Sequence, residues 1–166
     1  DQTENGLRTI IIGAGMAGLL AAIRLKQRGE TNFTIYEKGA SVGGTWRENT
    51  YPGIACDTPA HSYSYSFAFN PEWSAFYAPG GEIKRYFEET AKSYGIEEHI
   101  CFDTEIEHCE WRDGQWLVRT KAGEIDCAQV LVAATGVLHH PSIPDIPGLH
   151  DFARPWFHSA RWDHSV

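Results

Sequence analysis

Between residues 8 and 37 the sequence leaves little freedom of fold. Arg8 to Ile12 is a short, β-branched apolar run that stops at Gly13, the pattern of a buried parallel strand. Gly13-Ala14-Gly15-Met16-Ala17-Gly18 follows at once. Met16 to Arg28 suits a helix, with Ala17, Leu20, Ala21, Ile23 and Leu25 as helix formers and Gly29 placed to stop it. Asn32 to Tyr36 predicts a second strand, ending at Glu37, 19 positions after Gly18. Strand, glycine turn, helix and strand within about 30 residues make a βαβ unit.

A G-x-G-x-x-G hexapeptide is weak evidence alone; here it follows a strand, opens a helix and has an acid at the next strand's tip. Its first glycine suits a tight turn, its second a close backbone approach to a pyrophosphate, its third close helix–strand packing. The helix N-terminus offers free N–H groups and about half a positive charge to phosphates. A carboxylate at Glu37 can accept from a ribose diol and disfavours a 2′-phosphate, so FAD or NAD fits better than NADP at this first site. The competing reading is a glycine turn between packed elements with no ligand.

Beyond Glu37 the pattern changes. Residues 39–79 are punctuated by glycine and proline and rich in aromatics, and a loop that long is uncommon unless functional. Helical spacing returns over Glu82 to Tyr94, with Ile83, Phe87, Ala91 and Tyr94 on one face and Gly95 as the stop. Three strand-like runs follow, Thr104–Trp111, Gln115–Thr120 and Glu124–Cys127, the first two joined by the hairpin signal Asp113-Gly114. Val130 to Ala134 again suits a central parallel strand. Pro141, Pro144 and Pro147 then mark a stiff connector. The fold expected is α/β: a Rossmann-like domain with a parallel sheet, helices and an antiparallel three-stranded meander.

The net charge of −8 argues against nucleic acid or an anionic membrane as a main partner. The chain has no apolar run of the roughly 18–20 residues that span a bilayer, and the polar stretch Asp1 to Leu7 does not fit a secretory signal. Cys56, Cys101, Cys109 and Cys127 form no CxxC pair, so a reduced, cytoplasmic protein without a metal site is expected.

Glu37, then Gly43-Gly44-Thr45-Trp46, Tyr51-Pro52-Gly53-Ile54-Ala55-Cys56-Asp57, Tyr63-Ser64-Tyr65-Ser66-Phe67 and the late Ala134-Thr135-Gly136 resemble the FAD domain of class B flavoprotein monooxygenases. Within that class the run is similar to the Baeyer–Villiger enzymes of the cyclohexanone and 4-hydroxyacetophenone types. Phe152, His158, Trp162 and Asp163 carry a second signature of that family, which departs from it at Arg154, where the family has glycine. Arginine cannot cheaply replace a glycine held at positive φ, which puts the local turn in question.

The resemblance implies that Gly13, Gly15, Ala17 and Gly18 hold a pyrophosphate and Glu37 with Lys38 the adenosine ribose. Gly44, Thr45 and Trp46 would lie along the flavin and its ribityl chain, Asp57 and Tyr63 near the isoalloxazine, and the Ile106 backbone at the adenine. Ala55, Cys56 and Asp57 would border the nicotinamide of NADP, with Asp57 the catalytic candidate, positioning an arginine. Blander roles stay open: core packing for Trp46, a turn before Thr58-Pro59 for Asp57, a small filler for Cys56, loop for His139-His140, a structural part for His158. Tyr63, Tyr65, Phe67 and Phe69 also fit one buried face of a strand.

The implied division is an FAD-binding portion over 1–138 and a linker over 139–166 carrying the second signature. The implied reaction uses NADPH and O2 to convert a ketone to an ester or lactone. No second G-x-G-x-x-G follows Gly18, so the expectation is a chain lacking the NADP domain and not competent for turnover alone, with a homo-oligomer or a complementing segment to cover apolar surface. The alternatives are a non-catalytic dinucleotide-binding module and a ligand-free remnant.

Overall fold

β1 (Thr9–Ile12), α1 (Met16–Gln27) and β2 (Phe33–Tyr36) form the βαβ unit in a computed structural model that describes residues 7–166. The polar stretch before Leu7 lies outside the described residues. β1 and β2 pair in parallel, Thr9 opposite Phe33 through Ile12 opposite Tyr36. Ile10 and Ile11 point to opposite faces and both are fully buried, which is why this strand reads as a continuous apolar run.

The sheet is completed by β3 (Ile100–Cys101) beside β2 and β7 (Val130–Ala133) beside β1, all parallel, in the order β3-β2-β1-β7. The chain steps outward from β1 to β2 to β3, then returns to the other side of β1. The switch point of this open sheet lies between β1 and β7, where a crevice forms at the carboxyl ends of the strands.

α3 (Gly80–Ser93) buries Ile83, Tyr86, Phe87, Thr90 and Ala91. Its apolar face joins Leu19, Ala22, Ile23, Phe33 and Ile35 in one core cluster. Within 39–79 the one regular element is α2 (Thr45–Glu48), a single turn the sequence reading missed. The strand alternative for Tyr63, Tyr65, Phe67 and Phe69 is corrected: this segment is a series of turns. Its backbone is satisfied by tyrosine hydroxyls in place of a partner strand. The Tyr65 N–H donates to Tyr86 Oη at 2.8 Å, Tyr86 Oη–H to the Ala68 carbonyl at 2.7 Å, and Tyr94 Oη–H to the Phe67 carbonyl at 3.1 Å. The Tyr65 hydroxyl donates to the Met16 carbonyl at 2.6 Å, tying the loop to the first turn of α1.

The meander is β4 (Ile106–Arg112), β5 (Gln115–Thr120) and β6 (Ile125–Ala128), antiparallel throughout. Asp113 and Gly114, at φ 50° and 81°, make the two-residue left-handed turn expected of Asp-Gly. Val118 and Ala128 meet Ile10 in a second, smaller cluster on the back of the parallel sheet. A polar tie reinforces it: Asp126 takes the Arg8 guanidinium and, at 2.8 Å, the Tyr36 hydroxyl.

Residues 137–166 contain no helix longer than the 3₁₀ turns Leu149–Asp151 and Ser159–Arg161. Among the described residues the non-glycine positions at positive φ are Asp103 and Asp113, so Arg154 adopts an ordinary backbone and its place in a glycine position carries no left-handed strain. Among the described residues, no helix is long and apolar enough to cross a membrane, and no group of three or more His, Cys, Asp or Glu is placed to hold a metal ion.

Candidate functional site at the switch point

A cavity of about 610 Å³ opens where the ends of β1, β2 and β7 converge on the first turn of α1. Gly15, Met16 and Ala17 line it, and α1 has neither a side-chain cap nor an acidic residue in its first turn. Early N–H groups of a helix lack intrahelical partners, so this terminus presents donors and positive potential to the cavity with no side chain capping it.

Steric closeness explains the glycines. A Cβ on Gly18 would stand 1.8 Å from the Gly13 carbonyl oxygen, and one on Gly13 would stand 2.6 Å from that of Ala134. One built on Gly44 would stand 3.1 Å from the Gly15 Cα. The turn between β1 and α1, the end of β7 and the turn before α2 therefore pack backbone to backbone. Gly18 serves that packing and does not line the cavity; Gly13, Gly15 and Gly44 do both.

Glu37 is buried, 3% exposed, and its carboxylate faces the glycine turn. The Ala14 N–H donates to Oε2 at 2.8 Å, while the Gly39 N–H and Arg47 Nη1 donate to Oε1 at 2.8 and 2.7 Å. Arg47 also donates to the Ser41 carbonyl at 2.6 Å and, through Nη2, to Glu48 Oε1 at 3.2 Å. A Cβ on Gly39 would fall 2.4 Å from the Arg47 guanidinium carbon. The acid at the tip of β2 thus faces the cavity and staples the surrounding turns together.

Lys38, Thr45, Trp46, Tyr63 and Ile106 line the same cavity. Trp46 Nε1 donates to the Tyr63 hydroxyl at 3.1 Å, with the rings edge to face at 5.7 Å. Burial raises the Tyr63 pKa, the Trp46 hydrogen bond opposes the rise, and nearby Cys56 and Asp57 add to it. Tyr63 is therefore a neutral donor throughout the physiological range. Ala55, Cys56 and Asp57 do not line this cavity: Ala55 and Asp57 are exposed, and Cys56 is buried with its sulfur accepting from the Thr58 N–H.

Arg47, Glu48, Thr104, Glu105, His139 and His140 also line the cavity, and the sequence reading had assigned none of them to it. His139 and His140 do sit in loop, yet the loop folds back so that His139 Nδ1 lies 3.4 Å from Lys38 Nζ. Burial first, then the Lys38 ammonium, pushes the His139 pKa down and keeps the ring neutral near pH 7. Arg47 and Glu48 follow directly on Trp46 in sequence, the one signal that could have pointed at them. The histidines are reached only through tertiary folding. His158 caps the 3₁₀ turn Ser159–Arg161, its Nδ1 accepting from the Ala160 N–H at 3.0 Å, and Trp162 packs edge to face on Phe157.

Together these features define a Rossmann-like α/β domain whose uncapped helix terminus and strand-tip acid share one cavity. The family model for NAD(P)-binding Rossmann-like domains matches residues 11–79. A Baeyer–Villiger monooxygenase of Streptomyces coelicolor is 46% identical over 99% of this chain and 32% of its own length. The open crystal structure of cyclohexanone monooxygenase superposes with a TM-score of 0.87 at 30% identity, over 96% of this chain and 32% of that one. A crystal structure of OTEMO in complex with FAD and NADP gives 0.87 at 32% identity, over 98% of this chain and 31% of that one. Over nearly its whole length the chain is similar to part of the flavoprotein monooxygenases of the Baeyer–Villiger type. It spans about a third of the length of the relatives it matches.

Proposed function

We propose that this chain is the FAD-binding portion of an NADPH- and O2-dependent monooxygenase that converts ketones to esters or lactones, with residues 1–138 as the binding unit and 139–166 as the connecting segment. The uncapped N-terminus of α1, open to a cavity that also holds Glu37, carries the reading. It fits the ADP half of FAD: donors for a pyrophosphate, glycines that admit close backbone approach, and an acid for ribose. A relative of like fold has been crystallised with FAD and NADP.

Bound FAD would supply the redox chemistry and, with NADPH and O2, the insertion of oxygen beside a carbonyl. The chain's residues bind and orient. Gly13, Gly15 and Ala17 face the pyrophosphate with Gly18 packing the turn behind them, Glu37 and Lys38 the ribose, and the Ile106 backbone the adenine. Gly44, Thr45, Trp46 and Tyr63 form the wall along the flavin, with Tyr63 held by Trp46 as a neutral donor. Ala55, Cys56 and Asp57 lie outside that wall on the nicotinamide side. Asp57 acts there as a positioning group for a cation, not as a proton carrier. NADP, a small ketone and O2 are the remaining ligands in this reading.

Titration of the purified chain with FAD, followed by flavin absorbance and fluorescence after gel filtration, tests it. Retention of about one flavin per chain is expected. A colourless protein that also rejects added FAD would overturn the proposal.

A further inference from the structure

The hydrogen-bond inventory of Glu37 leaves the ribose underserved. A carboxylate has about four lone-pair sites, and Ala14, Gly39 and Arg47 already occupy three of those on Glu37. A ribose diol presents two O–H donors. One acceptor site remains for them on Glu37, so a second acceptor is needed if both hydroxyls are to be satisfied in a desolvated site.

Glu48 is placed to supply it. Glu48 lines the same cavity. Arg47 bridges the two acids, Nη1 to Glu37 and Nη2 to Glu48, so the carboxylates sit side by side on one guanidinium. Lys38 Nζ, from the residue after Glu37, completes the arrangement at 3.1 Å from Glu48 Oε1. All of these contacts fall on Oε1. Glu48 Oε2 is buried and has no hydrogen-bond partner. A buried carboxylate oxygen without a donor is destabilising, and such atoms are uncommon enough to need a reason. Lys38 contacts Oε1 and not Oε2, so a ligand hydroxyl would reach Oε2 through a local turn of the Glu48 carboxylate.

We propose that Glu48 is a second sugar-selecting carboxylate, whose Oε2 accepts one hydroxyl of the adenosine ribose while Glu37 accepts the other. The inference rests on the dinucleotide reading of the cavity. Two adjacent acids also sharpen discrimination against a 2′-phosphate, since either one alone repels it.

Calorimetric titration of the chain with 5′-ADP, 2′-deoxy-ADP and 3′-deoxy-ADP tests the proposal in wild type, Glu48→Gln and Glu48→Met, with circular dichroism as the check on folding. In wild type, loss of either hydroxyl should weaken binding. In both variants ADP should bind about tenfold to a hundredfold more weakly, the size of one hydrogen bond to a charged group. The variants should also become insensitive to removal of one hydroxyl while keeping sensitivity to the other. Equal binding of ADP by wild type and Glu48→Gln would overturn the inference. So would a folded variant weakened by the same factor for all three ligands, or a wild type indifferent to one hydroxyl. ADP and FAD both failing to bind wild type would instead overturn the underlying dinucleotide reading.

Discussion

The first hundred residues and the last thirty are held together in different ways. Around β1, α1 and α3, Ile11, Leu19, Ile23, Ile35 and Phe87 are fully buried in one cluster, and the aromatic loop 51–79 is bolted to it by tyrosine hydroxyls. Residues 137–166 bury almost nothing: Val137 is 93% exposed, and Leu138, Ile143, Ile146, Phe152, Trp156 and Trp162 are exposed as well. Polar contacts tether that segment, including Arg161 to the His139 carbonyl and Thr50 to His164. Burial sets the stability of one region and a few hydrogen bonds set the path of the other. A site assembled from both has a rigid floor and a weakly held rim.

The largest effect that would break this contrast is a pair of truncations. Phe87→Ala should cost about 3–5 kcal/mol in chemical denaturation, because it empties a fully buried position. Trp162→Ala, removing as large a ring from the exposed segment, should cost within about 0.5 kcal/mol. Comparable losses for the two would show that residues 137–166 are part of the folding core after all.

Gly18→Ala asks whether the floor of the site is as tightly closed as it looks. Its Cβ would overlap the Gly13 carbonyl, and overpacking of this kind costs about 1–3 kcal/mol. FAD retention should fall with it as the turn is forced open. A variant with wild-type stability and flavin content would show the turn to be slack.

The smallest effect concerns the meander, which stands between the two regions in character. Asp126 has its pKa held below the ordinary carboxylate value. Burial pushes it up, but hydrogen bonds from Arg8, Tyr36 and the Cys127 N–H outweigh burial. A depressed folded pKa means that this stabilisation is complete above the unfolded value of about 3.9 and is lost as pH falls through the folded value. Asp126→Asn should therefore cost about 1–2 kcal/mol at pH 7, the contact being partly exposed. The gap between variant and wild type should close as the pH is lowered below about 4. A gap that stays constant with pH would mean that packing, not charge, docks the meander.

Legibility in the sequence followed periodicity. β1, α1, β2, α3 and the meander announced themselves within a residue or two: β1 as a continuous apolar run, α1 as helix formers between glycines, and α3 by an apolar face at helical spacing. β3 has two residues, too few to establish a period. α2 is a single turn among turn residues. In 51–79 the alternating aromatics resembled a strand but follow turns, since hydroxyls on α3 supply the partners that a neighbouring strand otherwise would. The glycines, Glu37, Lys38, Trp46 and Tyr63 of the candidate site were legible from motif and resemblance. Arg47 and Glu48 were not legible, since charged residues ordinarily face solvent and the single turn that carries them has no period of its own.

By itself the chain's order of residues determined a glycine turn opening a helix, with an acid at the tip of the next strand. Each of those features depends on contacts within about 30 residues and on backbone geometry that only glycine allows. Tertiary structure alone decided how the acid is used. Folding brings Ala14, Gly39 and Arg47 onto Glu37, aligns Glu48 beside it, and returns His139 and His140 to the rim from a hundred residues away. Hydrogen-bond capacity is finite and is shared among whatever the fold brings within reach, so no reading of the chain in one dimension could have counted what Glu37 had left to offer.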